Sequence, residues 1–321
     1  MDKEEALSPE TEAQDVFQDD KIQQLEVSED NISKSPDPFI DDLLTGNDLY
    51  ELSSREATTI IYVLGDIGSG KTTLETVIYG LFCEKIHEEW LFAGSKTINA
   101  YERRRQYISA KSGKTGVDMP RTSAHESPRV FLHMELFHRL LACRKNVLFT
   151  DISGEVYQAC AKKCDMIEAK LPLIDYADHI LLLLDAKKLI RKEEQGGVVL
   201  RAVSFLRMLK ASKLYSKHMK IDVVVSKCDE IVKSDDGDKE YPYRIESEFV
   251  AVADAFDLKY HWIEAQNTEQ REDYEHTTDV MDFLKYLLKN SHDDEIHVDR
   301  GAIKAELSDE CNLLRGKWAN G

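Results

Sequence analysis

The chain has 321 residues, 42% of them hydrophobic, with a net charge of −18. That length and apolar content allow one large or two modest domains with a substantial core. No apolar run approaches the roughly 20 residues a membrane span needs; the longest centres on 180–184, and the acidic N-terminus is unlike a signal peptide, so a soluble, cytoplasmic protein is expected.

The charge is uneven. Residues 1–55 carry 16 acidic against 4 basic side chains, about two thirds of the net excess. The remainder is only mildly acidic, so no dedicated nucleic-acid binding is expected. The cysteines Cys83, Cys143, Cys160, Cys164, Cys228 and Cys311 have no disulfide-scaffold rhythm and read as reduced thiols. Cys160 and Cys164, at i and i+4, lack further ligands at zinc spacing.

In chain order, 1–37 is poor in aromatics and rich in Asp, Glu, Ser and Gln, a composition that cannot offset its ordering entropy, and is expected to be disordered. Residues 38–52 form an acidic-hydrophobic segment that could dock on a partner or on the parent domain; a linker with incidental apolar residues has the same composition. The organisation expected is an acidic, largely disordered tail over 1–55, a domain over 56–290 with a long basic insertion at about 87–128, and a charged tail over 291–321.

The β-branched apolar run 59–64 reads as a strand, and it ends in Gly65-Asp66-Ile67-Gly68-Ser69-Gly70-Lys71-Thr72. This fits G-x-x-x-x-G-K-[ST] at every fixed position and identifies a P-loop. Backbone N–H groups can wrap a polyphosphate only where side chains stay clear, which Gly65, Gly68 and Gly70 permit. Lys71 would supply charge for the β/γ-phosphates and Thr72 a hydroxyl ligand for Mg²⁺, at the positive end of a helix that continues through Thr73 to about residue 86.

Further strands are expected at 130–136, 147–150, 179–184, 221–225 and 260–263, and helices at about 155–170, 198–214, 243–256 and 277–288. The alternation predicts an α/β domain: a doubly wound, mainly parallel six-stranded sheet with helices on both faces and ligands at the carboxyl ends of the strands. Two motifs follow strands as such a site requires. Asp151-Ile152-Ser153-Gly154 is a D-x-x-G turn in which Asp151 can hold Mg²⁺ through a water and the Gly154 N–H can sense the γ-phosphate. Ser226-Lys227-Cys228-Asp229 fits [NTS]-K-x-D: Asp229 can accept two guanine N–H groups that adenine does not offer, and the Lys227 stem can lie along the purine. Past 260–263 stands Glu264-Ala265-Gln266, where GTPases carry S-A-[KL] and use a backbone N–H on the guanine oxygen; Ala265 fits and Glu264 departs.

With these motifs in this order, 59–288 resembles the Ras-like, translation-factor-related class of P-loop GTPases. The strings LGDIGSGKTT, FAGSKTINAYERRR, PRTS and TDISGE further resemble the double-GTPase families of prokaryotic conflict and defence gene clusters. The resemblance implies a guanine-nucleotide, Mg²⁺-dependent molecular switch that hydrolyses GTP. Gln commonly follows D-x-x-G in this class; here Glu155 would repel the γ-phosphate when ionised, so slow intrinsic hydrolysis is expected, with a protein partner or self-association needed for faster turnover. The insertion before residue 130, about 43 residues, would hold the switch threonine, Thr122 or, as rival, Thr97. Arg103-Arg104-Arg105 within it could supply an arginine finger or form a solvated basic helix face. A nucleotide-loaded interaction module without significant hydrolysis and a P-loop ATPase are the alternative functions.

Overall fold

The structure, a computed structural model, describes residues 43–54, 56–84, 87–111, 129–264 and 278–289. All of these lie in one compact unit. The chain opens with β1 (Leu44–Thr45) and α1 (Gly46–Ser53), then β2 (Ala57–Gly65) and α2 (Lys71–Glu84). β3 (Trp90–Gly94) and α3 (Ile98–Lys111) precede the hairpin of β4 (Arg129–His138) and β5 (Cys143–Thr150). Two short helices follow, α4 (Gly154–Cys160) and α5 (Asp165–Lys170), then β6 (His179–Asp185), α6 (Ala186–Leu189) and the long α7 (Lys192–Ala211). The chain continues through β7 (Lys220–Ser226), α8 (Asp229–Lys233), a 3-10 helix (Tyr241–Phe249), α9 (Val250–Ala253), β8 (Leu258–Ile263) and α10 (Val280–Lys289).

These strands form a single sheet in the order β1-β4-β5-β2-β6-β7-β8, with β3 also on β4. β5, β2, β6, β7 and β8 run parallel, while β4 pairs antiparallel with β5, β1 and β3. Parallel strands are covered on both faces and so read as continuous apolar runs; every residue of β6 is buried. Alternation along β2 shows the two layers. Tyr62 and Leu64 pack with Tyr157, Ile167, Phe205 and Leu206 of α4, α5 and α7. Ile61 and Val63 pack with Ile78, Tyr101, Phe283 and Leu287 of α2, α3 and α10.

The expected α/β class is observed, but the sheet is mixed and has eight strands rather than six. The additional strands cover the outer edge of β4: Leu44 pairs with Phe131 toward one end, and Trp90 with His138 toward the other. For 38–52, left open between docking and linker, the described part docks on the parent domain, with Leu49 and Leu52 packed on Phe131 and Leu148. The single helix expected over 155–170 is two, with the chain turning between Cys160 and Asp165. Over 243–256 most of the expected α-helix is a 3-10 turn broken at Arg244. The segments 1–42 and 290–321, with Cys311, lie outside the described residues. No helix among the described residues is long and apolar enough to cross a membrane.

α10 is fastened to the sheet by a buried carboxylate. Asp222 of β7 accepts from His179 Nδ1 at 2.8 Å, His261 Nε2 at 3.0 Å and Tyr286 Oη at 2.9 Å. Burial alone would raise its pKa, but the hydrogen bonds and charges of the two histidines prevail and hold it below the usual carboxylate range.

Candidate nucleotide-binding site

The turn from β2 to α2 is built by its glycines. Gly68 and Gly70 adopt φ of 77° and 90°, which L side chains rarely adopt, and the loop curls around the amine of Lys71. Lys71 Nζ donates to the carbonyls of Gly65 at 2.9 Å and Asp66 at 3.0 Å. Burial lowers its pKa, opposed by the carboxylates of Glu75, Asp151, Asp66 and Glu155 around it. Asp66 is held by Arg201 of α7, with Gln158 of α4 adding a bond at 3.2 Å. Lys188 Nζ donates to the Ile67 carbonyl at 3.2 Å.

The loop after β7 is tied directly to this turn. Ser226 Oγ donates to the Ser69 carbonyl at 2.7 Å and the Leu184 carbonyl at 3.2 Å. Lys227, in the left-handed region at φ 60°, donates Nζ to the Gly68 carbonyl at 2.5 Å and to Asp185 Oδ2 at 2.7 Å. Its stem passes 3.8 Å from where a Cβ on Gly70 would stand. Asp229 is buried and accepts from Lys233 Nζ at 2.5 Å. Gly70, Thr73, Ser226, Lys227 and Asp229 line one cleft. A carboxylate, an aliphatic stem and a helix N-terminus around one cleft fit a purine nucleoside attached to phosphates in the loop.

At the other end of the loop, β5 delivers Asp151. Where the parallel ladder with β2 stops, Thr150 Oγ1 accepts from Val63 N at 3.0 Å, and the next residue leaves the sheet. Gly154 opens α4 against the phosphate loop: a Cβ there would stand 2.4 Å from Ile67 N, so only glycine fits. Ser153 caps α4 through Val156 N, and Glu155 is exposed in its first turn. Asp151 is buried and paired with Arg104 of α3, Nη2 to Oδ2 at 2.5 Å. Glu75, one turn along α2 from Lys71, is fully buried, and among the described residues neither carboxyl oxygen has a hydrogen-bond partner. Burial above all, then the charge of Asp151, raises its pKa well above the ordinary range, against Arg104 and Lys71. A hydroxyl at Thr72 and a carboxylate at Asp151 are hard oxygen donors that suit Mg²⁺.

The structure thus brings Gly65–Thr73, Asp151, Gly154, Ser226, Lys227 and Asp229 to the carboxyl ends of β2, β5 and β7. Thr122 and Ala265 lie outside the described residues. Thr97 is engaged elsewhere: its Oγ1 accepts from His133 N of β4 at 2.9 Å. The basic run is not a uniformly solvated face, because Arg104 is 1% exposed while Arg103 is exposed. Sequence reasoning missed Arg201, Gln158 and Lys188, whose roles depend on which helix faces the loop, and Lys233, for which the i,i+4 spacing from Asp229 was the available signal. Glu75 carried a signal, a carboxylate on a helix with Leu74 and Ile78 beside it.

A glycine-turned strand-to-helix loop around a buried lysine, on an α/β sheet, defines a P-loop nucleotide-binding domain. The sequence model of the Double-GTPase 2 family matches residues 59–288, and the chain belongs to that family of P-loop GTPases. No curated protein matches it. Among solved structures, the bacterial selenocysteine-specific elongation factor EF-Sec is similar with 14% identity over 76% of this chain and a TM-score of 0.36. The match spans 30% of that protein's length.

Proposed function

We propose that this chain is a Mg²⁺-dependent guanine-nucleotide switch with slow intrinsic GTP hydrolysis. The observation that carries the reading is the shared cleft in which buried Asp229 and the Lys227 stem stand beside Gly70 and Thr73 of the phosphate loop. Asp229 selects guanine by accepting its two N–H groups, and the Ala265 backbone N–H meets the guanine oxygen. Lys71 leaves its two carbonyl partners for the phosphates. Thr72, Asp151 and Thr122 would hold Mg²⁺, which neutralises charge developing on the transferred phosphoryl group. Gly154 couples the γ-phosphate to α4, because its backbone already abuts Ile67.

Glu155 sets the rate. It is exposed at the start of α4, in the position after D-x-x-G, and an ionised carboxylate there repels the γ-phosphate. A partner protein or a second copy, engaging the switch segments and the insertion, is the proposed accelerator. The sequence resemblance supports a setting in prokaryotic conflict or defence systems, with the cytoplasm as the expected compartment.

Asp229→Asn tests the base assignment. GTP affinity should fall and xanthosine triphosphate affinity rise, since an amide donates to the xanthine carbonyl; unchanged GTP preference would remove Asp229 from recognition. A second reading, a nucleotide-loaded interaction module without significant turnover, is favoured by Glu155 in place of Gln. Phosphate release at high protein concentration, with candidate partners added, separates the two.

A further inference from the structure

Asp151, the carboxylate assigned to Mg²⁺, is held by a cation from the chain itself. Arg104 lies on the inner face of α3, 1% exposed, with Nη2 on Asp151 Oδ2 at 2.5 Å and Nη1 on the Ala100 carbonyl at 3.1 Å. A buried guanidinium cannot be left without an acceptor, because stripping a charge of both water and partner is among the largest penalties in a protein interior. Yet Mg²⁺ and Arg104 compete for one carboxylate. Within the electrostatic reach of Arg104 and Asp151 lies an acceptor with nothing assigned to it: Glu75, wholly buried, whose two carboxyl oxygens have no hydrogen-bond partner among the described residues. The hydroxyl of Tyr101, a neighbour on α3 that stacks on Tyr79 of α2 at 4.6 Å, is likewise buried without a partner. A pair of orphaned polar groups beside an engaged guanidinium describes a second seat.

We propose that Arg104 is a nucleotide-responsive latch with two carboxylate seats: it pairs with Asp151, as in the structure, and transfers to Glu75 when Mg²⁺ and nucleotide claim Asp151. The inference rests on the guanine-nucleotide reading of the site. The exchange keeps the Arg104 guanidinium paired in both positions, which lets a two-position switch operate in a dry pocket. Arg104 is rooted in α3 and Glu75 in α2, so its transfer shifts α3 against α2.

The test titrates Mg²⁺ against binding of a fluorescent GDP to the full chain, alongside hydrogen exchange of α3 with and without Mg²⁺. Wild type should show α3 exchange that changes when Mg²⁺ is added to the GDP-loaded protein. Arg104→Ala should bind GDP at about tenfold lower Mg²⁺, the scale of removing one charge-assisted competitor. Glu75→Gln should need more Mg²⁺ than wild type and lose the metal-dependent change in α3. Arg104→Lys, which retains the buried charge, should keep the fold and show an intermediate Mg²⁺ requirement. An unchanged Mg²⁺ requirement in Arg104→Ala or Arg104→Lys, or α3 exchange in wild type indifferent to Mg²⁺, overturns the latch while leaving the site reading intact. Failure of wild type to bind GDP at any Mg²⁺ concentration overturns the site reading and the latch with it.

Discussion

Arg201 of α7 grips Asp66 of the phosphate loop with two nitrogens, Nε 2.7 Å from Oδ1 and Nη2 2.5 Å from Oδ2. The pair joins the helix layer over β6 to the turn that wraps the phosphates, so the loop's shape is set partly by α7. Arg201→Ala leaves a carboxylate 5% exposed without its main partner, whereas the arginine itself is 36% exposed. Charge-assisted bonds to a buried group count for about 1–3 kcal/mol, reduced by solvent at the arginine. The expected result is a destabilisation of about 1–2 kcal/mol in urea unfolding with a matching loss of nucleotide affinity, and partial recovery in Arg201→Lys.

Gly154→Ala forces a Cβ to within 2.4 Å of Ile67 N, and a backbone atom cannot turn aside as a side-chain end can. Overpacking of this kind costs about 1–3 kcal/mol. Displacement of the D-x-x-G turn should weaken GTP more than GDP, since only GTP presents a γ-phosphate to it. Competition binding with both nucleotides measures the ratio; equal losses would detach Gly154 from γ-phosphate sensing.

Asp222 predicts an acid-side stability profile. Its pKa is depressed in the folded chain, so its contribution is complete above the unfolded carboxylate range and is lost as pH falls through the lower folded value. Asp222→Asn should flatten thermal midpoint against pH on that acid limb. At neutral pH it should cost about 1–3 kcal/mol, because three donors then face a weaker acceptor. Loss of protection in hydrogen exchange should centre on α10, which the cluster fastens through Tyr286.

Lys71→Ala separates binding from folding. A ligand present at about 100 times its Kd adds roughly 2.7 kcal/mol to wild type. Thermal-shift titration with GTP, GDP and ATP in Mg²⁺ should show guanine-only stabilisation that Lys71→Ala abolishes. Stabilisation by ATP would contradict the role given to Asp229.

Legibility differed between parts of the chain for physical reasons. β2 and β6 were plain in the sequence because strands buried on both faces are uninterrupted apolar runs. β3 and α3 were not, since the apolar run 90–94 is only five residues long and α3 sets Tyr101 among polar residues and three arginines. Pattern reading registers 103–105 as a single basic run. The fold divides it, burying Arg104 against Asp151 and leaving Arg103 in solvent.

By itself the sequence determined the α/β class, the phosphate loop and the positions of Asp151, Gly154 and Asp229 just past their strands, because each depends on local spacing after a strand. Only the tertiary structure decided which charges meet. Arg104 with Asp151, Arg201 with Asp66, and Lys227 with Gly68 are separated by 47, 135 and 159 positions along the chain. No periodicity records such pairs. They arise where the sheet order sets helices from distant parts of the chain around one loop, and burial then makes each pairing obligatory.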